Sequence, residues 1–551
     1  MIPRSQGRGP LALLLLLLAV GCGREEGDSS GLLFPADRLL EIEITLDPGD
    51  WELLRHEPDD IGHPKVTCAE QPTDPKYTYF PAEVSIDGVR YPDVAVRKKG
   101  GFGSLSTLRP GLKVKTNEYV PGQEIHGLKR LTLNNNHQDQ ALLRQCLTYG
   151  LFADAGLPAS RCAFAHVTVN GEDLGVYSHV ESIKKPFLGR FFEDDSGNLY
   201  EGGGDFRPGI VQGLQPKVDK EAPDCSDLDR IVDVFQLPDG DFDRRVDEVI
   251  DLDAFLTFWA MEVITDHWDG FTNGPNNFYA YHDPVSDRFR FIPWGVDSTF
   301  EGRQRTGRPS SVFACSILPW RLYDRPPTRE RYVTRLEELL ASVWDPARIV
   351  GEIDRMEALI TPSTTGNGVA DLAGQIQGVR DFATSRRDLL EAELIDGPPV
   401  WPTPLQDPPC LALLGNLSGT FQATWGTLGT FPAGNGTMSG NVTGRPVSSS
   451  TLNATAGLDE EGKVVLQLFA PQADGTYAVV MAIVHDPADF VVGDLPFNLV
   501  DLAGITGFYD PGTDTFEGGW LLLGGQLTLE QAGTTAGAPV VGSFSAQVVE
   551  L

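Results

Sequence analysis

Six prolines fall within the thirteen residues Gly397–Pro409 (GPPVWPTPLQDPP), and no other feature limits the fold of this chain as much. Proline fixes φ and has no amide hydrogen, so neither a helix interior nor a central strand can pass through such a stretch. The 551 residues are thereby cut in two, as expected once a chain exceeds about 250–300 residues. Upstream, helix and strand patterns mix. Glu41–Leu46 (EIEITL) alternates as a half-buried strand, and alternating runs flank Asp87-Gly88 and Asn170-Gly171, two hairpin signals. Apolar spacing predicts a helix over 141–155, stopped by Gly156 and Pro158. It predicts another over 252–263, capped by Asp251 or Asp253, and helical segments within 329–343 and 372–394. Downstream, short apolar runs (VVLQLFA, YAVVMAIV, GGWLLLGGQLTL) sit among Gly and Thr without helical periodicity. That pattern predicts an all-β sandwich or small barrel. Its loop Asp510–Asp514 could hold calcium through oxygen ligands, but a plain turn suffices.

The N-terminus reads as an export signal. Arg4 and Arg8 precede an unbroken apolar run, Leu11–Val20, too short to span a ~30 Å hydrocarbon core. Leu18-Ala19-Val20-Gly21-Cys22 resembles the bacterial lipobox, which implies cleavage before Cys22 and lipidation of its sulfur. The expected organisation is a signal peptide at 1–21 and a flexible tether at 22–36. An α+β domain at 37–398, a proline-rich linker at 399–409 and a sandwich-like β domain at 410–551 follow.

A formal net charge of −33 repels nucleic acid and anionic headgroups, which argues against both as partners. Besides Cys22, six cysteines remain: Cys68, Cys146, Cys162, Cys225, Cys315 and Cys410. In an oxidising compartment they permit disulfides whose pairing the sequence leaves open. No CxxC spacing points to structural zinc.

The richest stretch is Met261–Phe300, MEVITDHWDGFTNGPNNFYAYHDPVSDRFRFIPWGVDSTF. A helix ends near His267, a loop opens at Asp269-Gly270, and strands 277–282 and 288–292 form a hairpin. Pairing about Val285 sets Asn277 opposite Pro293. Strands lie ~4.8 Å apart, so Asp297 returns to the side of Asn277 and Asp269. A carboxylate, an amide and a second carboxylate at one hairpin end suit phosphoryl transfer. One carboxylate takes the proton of an attacking hydroxyl, and the other two groups offer hard oxygen ligands to Mg²⁺ or Mn²⁺. Aspartates that merely cap helices and close turns would have the same spacing. Upstream, Arg97-Lys98-Lys99-Gly100-Gly101-Phe102-Gly103-Ser104 offers cations and glycine amides to phosphate, and Lys113 and Lys115 share one face of the next strand. Glu181, at the end of the strand GVYSHVES, is a candidate partner for such a lysine.

These residues make the run from about Val94 to Phe300 recognisable: it resembles the CotH kinase family. The resemblance is carried by Arg97–Gly100, the Lys113 strand, HGLKRLTLNN (126–135), Asp139 with Arg144, and the VNG-x-x-x-GVY block from Val169. It continues through Glu181, NLYEGG (198–203), DHWDGFTNG-x-NNFYAY (266–281) and FIPWGVDSTF (291–300). It implies an atypical protein-kinase-like domain that binds ATP and a divalent metal and phosphorylates protein serine. Lys113 would contact the nucleotide phosphates and Glu181 would pair with it, while Arg97 would support the phosphate loop. Asp269 would be the catalytic carboxylate, and Asn277 and Asp297 metal ligands, with Asn276 not separable from Asn277. Two departures stand out. The family often carries Trp-Asp-x-Asp where this chain has Trp294-Gly295-Val296-Asp297, and Gln145 stands where glutamate is common. The expected function is an envelope-anchored kinase acting on a protein hydroxyl, held to the membrane by the lipid on Cys22. The alternative is a pseudokinase that serves as a surface scaffold, and a weaker third reading is a metal-dependent hydrolase using paired carboxylates.

Overall fold

The computed structural model describes residues 29–57, 77–101, 104, 106–217, 225–302, 307–369, 371–407, 412–431, 433–459, 462–499 and 501–550. The expected signal peptide, residues 22–28 of the tether with Cys22, Cys68, Phe102-Gly103 and Cys410 lie outside them. Two strand signals open the first unit: β1 (Leu40–Leu46), then, after helix α1 (Pro48–His56), β2 (Phe80–Ile86). Asp87 (φ 50°) and Gly88 (φ 81°) both take left-handed backbone, the turn that matches strand twist, and lead into β3 (Val89–Lys99). Strands β4 (Gly111–Lys115) and β5 (Arg130–Asn134) follow. After helix α2 (Arg144–Asp154), β6 (Cys162–Val169) and β7 (Glu172–Val180) join through Asn170 (φ 51°) and Gly171 (φ 85°). The seven strands close into a barrel in the order β1-β2-β3-β4-β5-β7-β6, completed by parallel pairing of β1 with β6. Alternation sends Ile42, Val84, Val96, Val114, Leu131 and Val167 inward, each burial worth roughly 1.5–3 kcal/mol. The same alternation turns Arg97, Lys99 and Lys113 outward. Lys98 points the other way, fully buried, and its ammonium donates to Arg55 O (3.0 Å) and Glu57 O (2.9 Å) at the end of α1.

Helix α2 begins three residues later than its apolar spacing predicts. Leu142 is left-handed (φ 63°), and the Asp139 carboxylate accepts the amides of Ala141, Arg144 and Gln145, which fixes the helix start. A disulfide joins Cys146 to Cys162, tying α2 to β6. The second unit comprises α3 (Lys185–Phe191), β8 (Leu199–Glu201), β9 (Gln215–Pro216), α4 (Ser226–Phe235), α5 (Asp239–Val249) and α6 (Leu252–Ile264), capped by Asp251. The hairpin β10 (Phe278–Asp283)–β11 (Arg288–Pro293) and helices α7 (Ile317–Asp324), α8 (Pro326–Ser342), α9 (Pro346–Ile360) and α10 (Leu372–Leu394) complete it. Its sheet runs β11-β10-β8-β9. Helix α6 is buried on nearly every side, with Trp259 stacked on Tyr332 at 3.8 Å.

The proline-rich stretch is a packed strap rather than a free spacer. Trp401 and Leu405 lie against the helical core, Arg308 sits over the Trp401 ring at 5.6 Å, and Tyr323 donates to Pro399 O at 2.7 Å. Gln406 bonds Cys315 O and Arg207. Beyond it come β12 (Ala412–Trp425), β13 (Ala433–Val442), β14 (Arg445–Ser449), β15 (Leu452–Leu458), β16 (Val464–Pro471), β17 (Tyr477–Val484), β18 (Gly493–Pro496), β19 (Leu502–Asp510), β20 (Thr515–Ala532) and β21 (Pro539–Glu550). Of the two expected forms, sandwich or small barrel, the strand pairing gives the barrel. β12 pairs with β21 on one edge and with β13 and β15 on the other, so one sheet curls back on itself around a single core. Closure pairs β12 on both sides and leaves the short strands β14 and β18 as edges. Asp510–Asp514 is the β19–β20 turn, with Asp510 accepting the Gly512 amide. The C-terminal barrel touches the first barrel where His56 Nδ1 meets Asp501 Oδ1 at 3.0 Å. Among the described residues, no helix is long and apolar enough to cross a membrane.

Candidate functional site

Glu262 sets the first loop of the site. It is a fully buried carboxylate near the end of the apolar helix α6, and the chain folds back around it. One oxygen accepts the amide of Phe271 (2.9 Å). The other accepts the amide (2.8 Å) and hydroxyl (2.6 Å) of Thr272. Gly270 passes so close that a Cβ there would lie 2.3 Å from Glu262 Oε1. His267, also fully buried, has Nδ1 3.6 Å from Glu262 and Nε2 3.2 Å from Gly295 O. Burial alone would lower its pKa, but Glu262 and Asp269 outweigh that and raise it. The ring thus ties the loop of Asp269 to the loop of Asp297.

Asp269 is half-buried and clamped: Asn276 donates to one oxygen at 3.2 Å and Asn277 to the other at 2.6 Å. Burial raises its pKa, the two amides and His267 oppose, and the charge of Asp297 adds to the rise. The register of β10 and β11 differs by one residue from the expected one, with Phe278 rather than Asn277 opposite Pro293. Asn277 has left the strand with φ 43°, which turns its side chain back onto Asp269. Gly295 explains the absent first aspartate of the family pattern. Its φ is +55°, and a Cβ would fall 2.6 Å from Asn277 Oδ1. Asn277 occupies the space that a side chain at 295 would need.

Asp297 is 6% exposed and accepts no hydrogen bond from any described residue. Its charge acts on four neighbours: Asp269, Lys99, Asp139 and Tyr149. Burial pushes the Asp139 carboxyl up to about 6, with Arg144 opposing and Asp297 adding. Lys99 comes from the outer barrel face, where burial lowers its pKa and Asp297 opposes. Lys113 stands on the adjacent strand, paired in register with Arg97. Burial first, then Arg97, pushes its ammonium down to about 7, with Glu201 opposing. Arg97 lies over the rings of Tyr79 (5.4 Å) and Tyr77 (6.0 Å).

One expectation is corrected. Glu181 does not pair with Lys113. It is 2% exposed and held by Arg161 at 2.7 Å and by Arg190, so its charge is spent on joining β6 to α3. The acidic neighbour of Lys113 is Glu201, at the end of β8, which also pairs with Lys217 at 2.5 Å. The structure therefore brings together Asp269, Asn277, Asp297, Arg97 and Lys113 on one side of the molecule and leaves Glu181 out. Sequence reasoning gave no role to Glu262, His267 and Glu201, and named Lys99 only as one cation of the run 97–104. Glu262 did leave a signal, as a lone carboxylate in an otherwise apolar helix face, and Lys99 shares the face of Arg97 by period two.

A divalent cation fits this donor set in a particular way. Among the described residues, no group of three or more acidic, His or Cys side chains is placed to hold a metal. Asp297 instead offers a buried carboxylate without hydrogen-bond donors, beside an amide and a second carboxylate. Mg²⁺ is commonly held by one or two carboxylates with substrate phosphates completing its shell.

Residues 96–390 match a family model described as CotH kinase protein. The chain is 25% identical over 260 residues to inner spore coat protein H of Bacillus subtilis, a span of 44% of this chain and 71% of that one. It is 21% identical over 266 residues to invasin CotH7 of Rhizopus delemar, 44% of each chain. It is 25% identical over 186 residues to invasin CotH2 of the same organism, 30% of this chain and 31% of that one. The chain thus spans less than half of either Rhizopus protein, and the C-terminal barrel lies beyond the family match.

Proposed function

This chain belongs to the CotH kinase protein family, and from that premise we propose that it is an exported, lipid-anchored kinase that moves a phosphoryl group from ATP to a protein hydroxyl. One observation carries the reading: a buried carboxylate without hydrogen-bond donors, Asp297, stands between the clamped Asp269 and the cationic barrel face of Lys99, Lys113 and Arg97. A buried anion of this kind calls for a compensating cation. Asp297 and the amide oxygen of Asn277 would hold Mg²⁺ or Mn²⁺, which supplies neutralisation of the phosphate charge when bound.

Lys113 and Lys99 contribute ammonium groups toward the donor phosphates, with Arg97 behind them. Asp269 accepts the proton of the attacking hydroxyl. Its oxygens are oriented by Asn276 and Asn277, and its raised pKa makes it a stronger proton acceptor than an ordinary aspartate. The hydroxyl oxygen bonds to the γ-phosphorus, the bridging P–O bond breaks, and ADP leaves with the electron pair. Anchoring by Cys22 puts this chemistry in the cell envelope, beside proteins of the cell surface as acceptors. The second reading, a nucleotide-binding scaffold, draws on Gly295, which stands where the family often has a carboxylate.

The test is transfer of labelled phosphate from ATP with Mn²⁺ by the purified protein, compared with Asp269→Asn and Asp297→Ala. Loss of incorporation in both variants is expected. Equal incorporation by all three would remove the kinase assignment, and nucleotide binding without transfer by the wild type would select the scaffold.

A further inference from the structure

We propose that the cleft between the loop preceding α2 and the first turns of α10 binds the extended polypeptide segment that presents the acceptor hydroxyl. The inference rests on the phosphoryl-transfer reading and names where its acceptor lies. The cleft has a volume of about 380 Å³ and is lined mainly by Gln138, Gln140, Arg144, Glu301, Gln375 and Gly378. It adjoins the candidate site directly, because Glu301 lies four residues beyond Asp297, and Arg144 contacts Asp139, whose carboxyl feels the charge of Asp297. Lys99 meets Asp297 from the barrel, whereas Asp139 meets it from the start of α2. A nucleotide on the cationic barrel face and a ligand in this cleft would thus approach Asp297 from different elements.

The lining decides the class of ligand. Gln138 and Gln375 are half-buried, and their side-chain amides form no hydrogen bond with any described residue. Arg144 is 9% exposed, yet its guanidinium makes one side-chain hydrogen bond, Nη1 to Glu301 at 3.5 Å, and Nε has no acceptor. Each amide offers both a donor and an acceptor, Arg144 adds donors and Glu301 adds an acceptor. An extended peptide backbone presents alternating N–H and C=O groups and needs such a mixture. A phosphate or other anion needs donors alone, and the Glu301 carboxylate in the wall opposes it. Gly378 leaves room for the segment: a Cβ there would meet nothing within 4 Å.

The experiment uses the full chain with dephosphorylated casein as the acceptor probe, ATP with Mn²⁺, and a fluorescent ATP analogue for nucleotide binding. Gly378→Trp fills the cleft from an exposed helix position, where any non-proline residue favours the helix over glycine. It is expected to raise the KM for casein by about tenfold or more with nucleotide affinity unchanged. Gln375→Ala is expected to move the same parameter in the same direction. In parallel, a photocrosslinking p-benzoylphenylalanine in place of Gln375 is expected to capture casein without nucleotide, whereas the same group in place of the exposed Val285 is not. An unchanged KM in Gly378→Trp, or equal capture at both positions, overturns the proposal. If the wild type transfers no phosphate, the kinase reading falls and the crosslink alone decides the cleft. Capture confined to position 375 then retains a polypeptide site, and its absence removes it.

Discussion

Replacing Gly295 with alanine tests the central geometric claim, that Asn277 occupies the space of a side chain at 295. Two costs follow from the structure. A residue with a Cβ held at φ +55° bears left-handed strain of roughly 1–2 kcal/mol. The new Cβ would also lie 2.6 Å from Asn277 Oδ1, so the amide must swing away and release its 2.6 Å bond to Asp269. A hydrogen bond to a charged group is worth about 1.5–3 kcal/mol, which gives a total near 3–5 kcal/mol. The two costs separate in a double-mutant cycle with Asn277→Ala. In that background the strain remains and the clash disappears, so a coupling of about 1.5–3 kcal/mol is expected. Urea denaturation followed by tryptophan fluorescence supplies the stabilities, and calorimetric Mn²⁺ titration reports on the site. Gly295→Asp, which writes in the family's carboxylate, is expected to cost at least as much and to weaken Mn²⁺ binding. Additivity within ~0.5 kcal/mol, or tighter Mn²⁺ binding by Gly295→Asp, would refute the reasoning and make Gly295 a lost ligand position.

Two further outcomes follow. Lys113, lowered to about 7 from an ordinary 10.5, penalises the folded state fully below pH 7, and the penalty is relieved as pH rises from about 7 to 10.5. Nucleotide affinity runs the opposite way: strongest below about 7 and weakening above it by up to tenfold per pH unit. Lys113→Arg should abolish the break because guanidinium stays charged, and a flat wild-type profile between pH 6 and 9 would contradict the assignment. Glu181→Gln leaves Arg161 and Arg190 without their buried counter-charge and should destabilise by about 2–4 kcal/mol with nucleotide affinity intact. Loss of affinity without loss of stability would return Glu181 to the phosphate site.

The parts of this fold legible in the sequence are those decided locally. Asp87-Gly88 and Asn170-Gly171 announce their hairpins because few residue pairs tolerate two successive left-handed conformations. The meeting of Asp269, Asn277 and Asp297 was legible because a single hairpin brings them together, and the one-residue slip came from Asn277 itself, of a residue type that readily adopts φ > 0. Glu181 was misread because its partners depend on which distant side chains meet: Arg161 and Arg190 lie on other elements, and no spacing rule names them. The choice between sandwich and barrel was equally hidden, since alternation at period two is the same whether β12 finds one neighbour or three. The packing of the proline-rich linker was hidden for the same reason: its composition marks a break between elements, while Trp401 and Leu405 supply the apolar area that holds it down.

That strap has a mechanical consequence. The chain leaves α10 and stays fastened to the helical unit through Trp401, Gln406 and the carbonyl of Pro399. It then enters a barrel that leans on the first barrel through Asp501 and His56. The C-terminal barrel is therefore the far arm of a caliper: pinned to one jaw, resting against the other, with the carboxylates and lysines of the site contributed by both jaws. Force applied to that barrel would therefore reach both jaws, one through Trp401 and Gln406 and the other through Asp501 and His56, without touching the cleft between them.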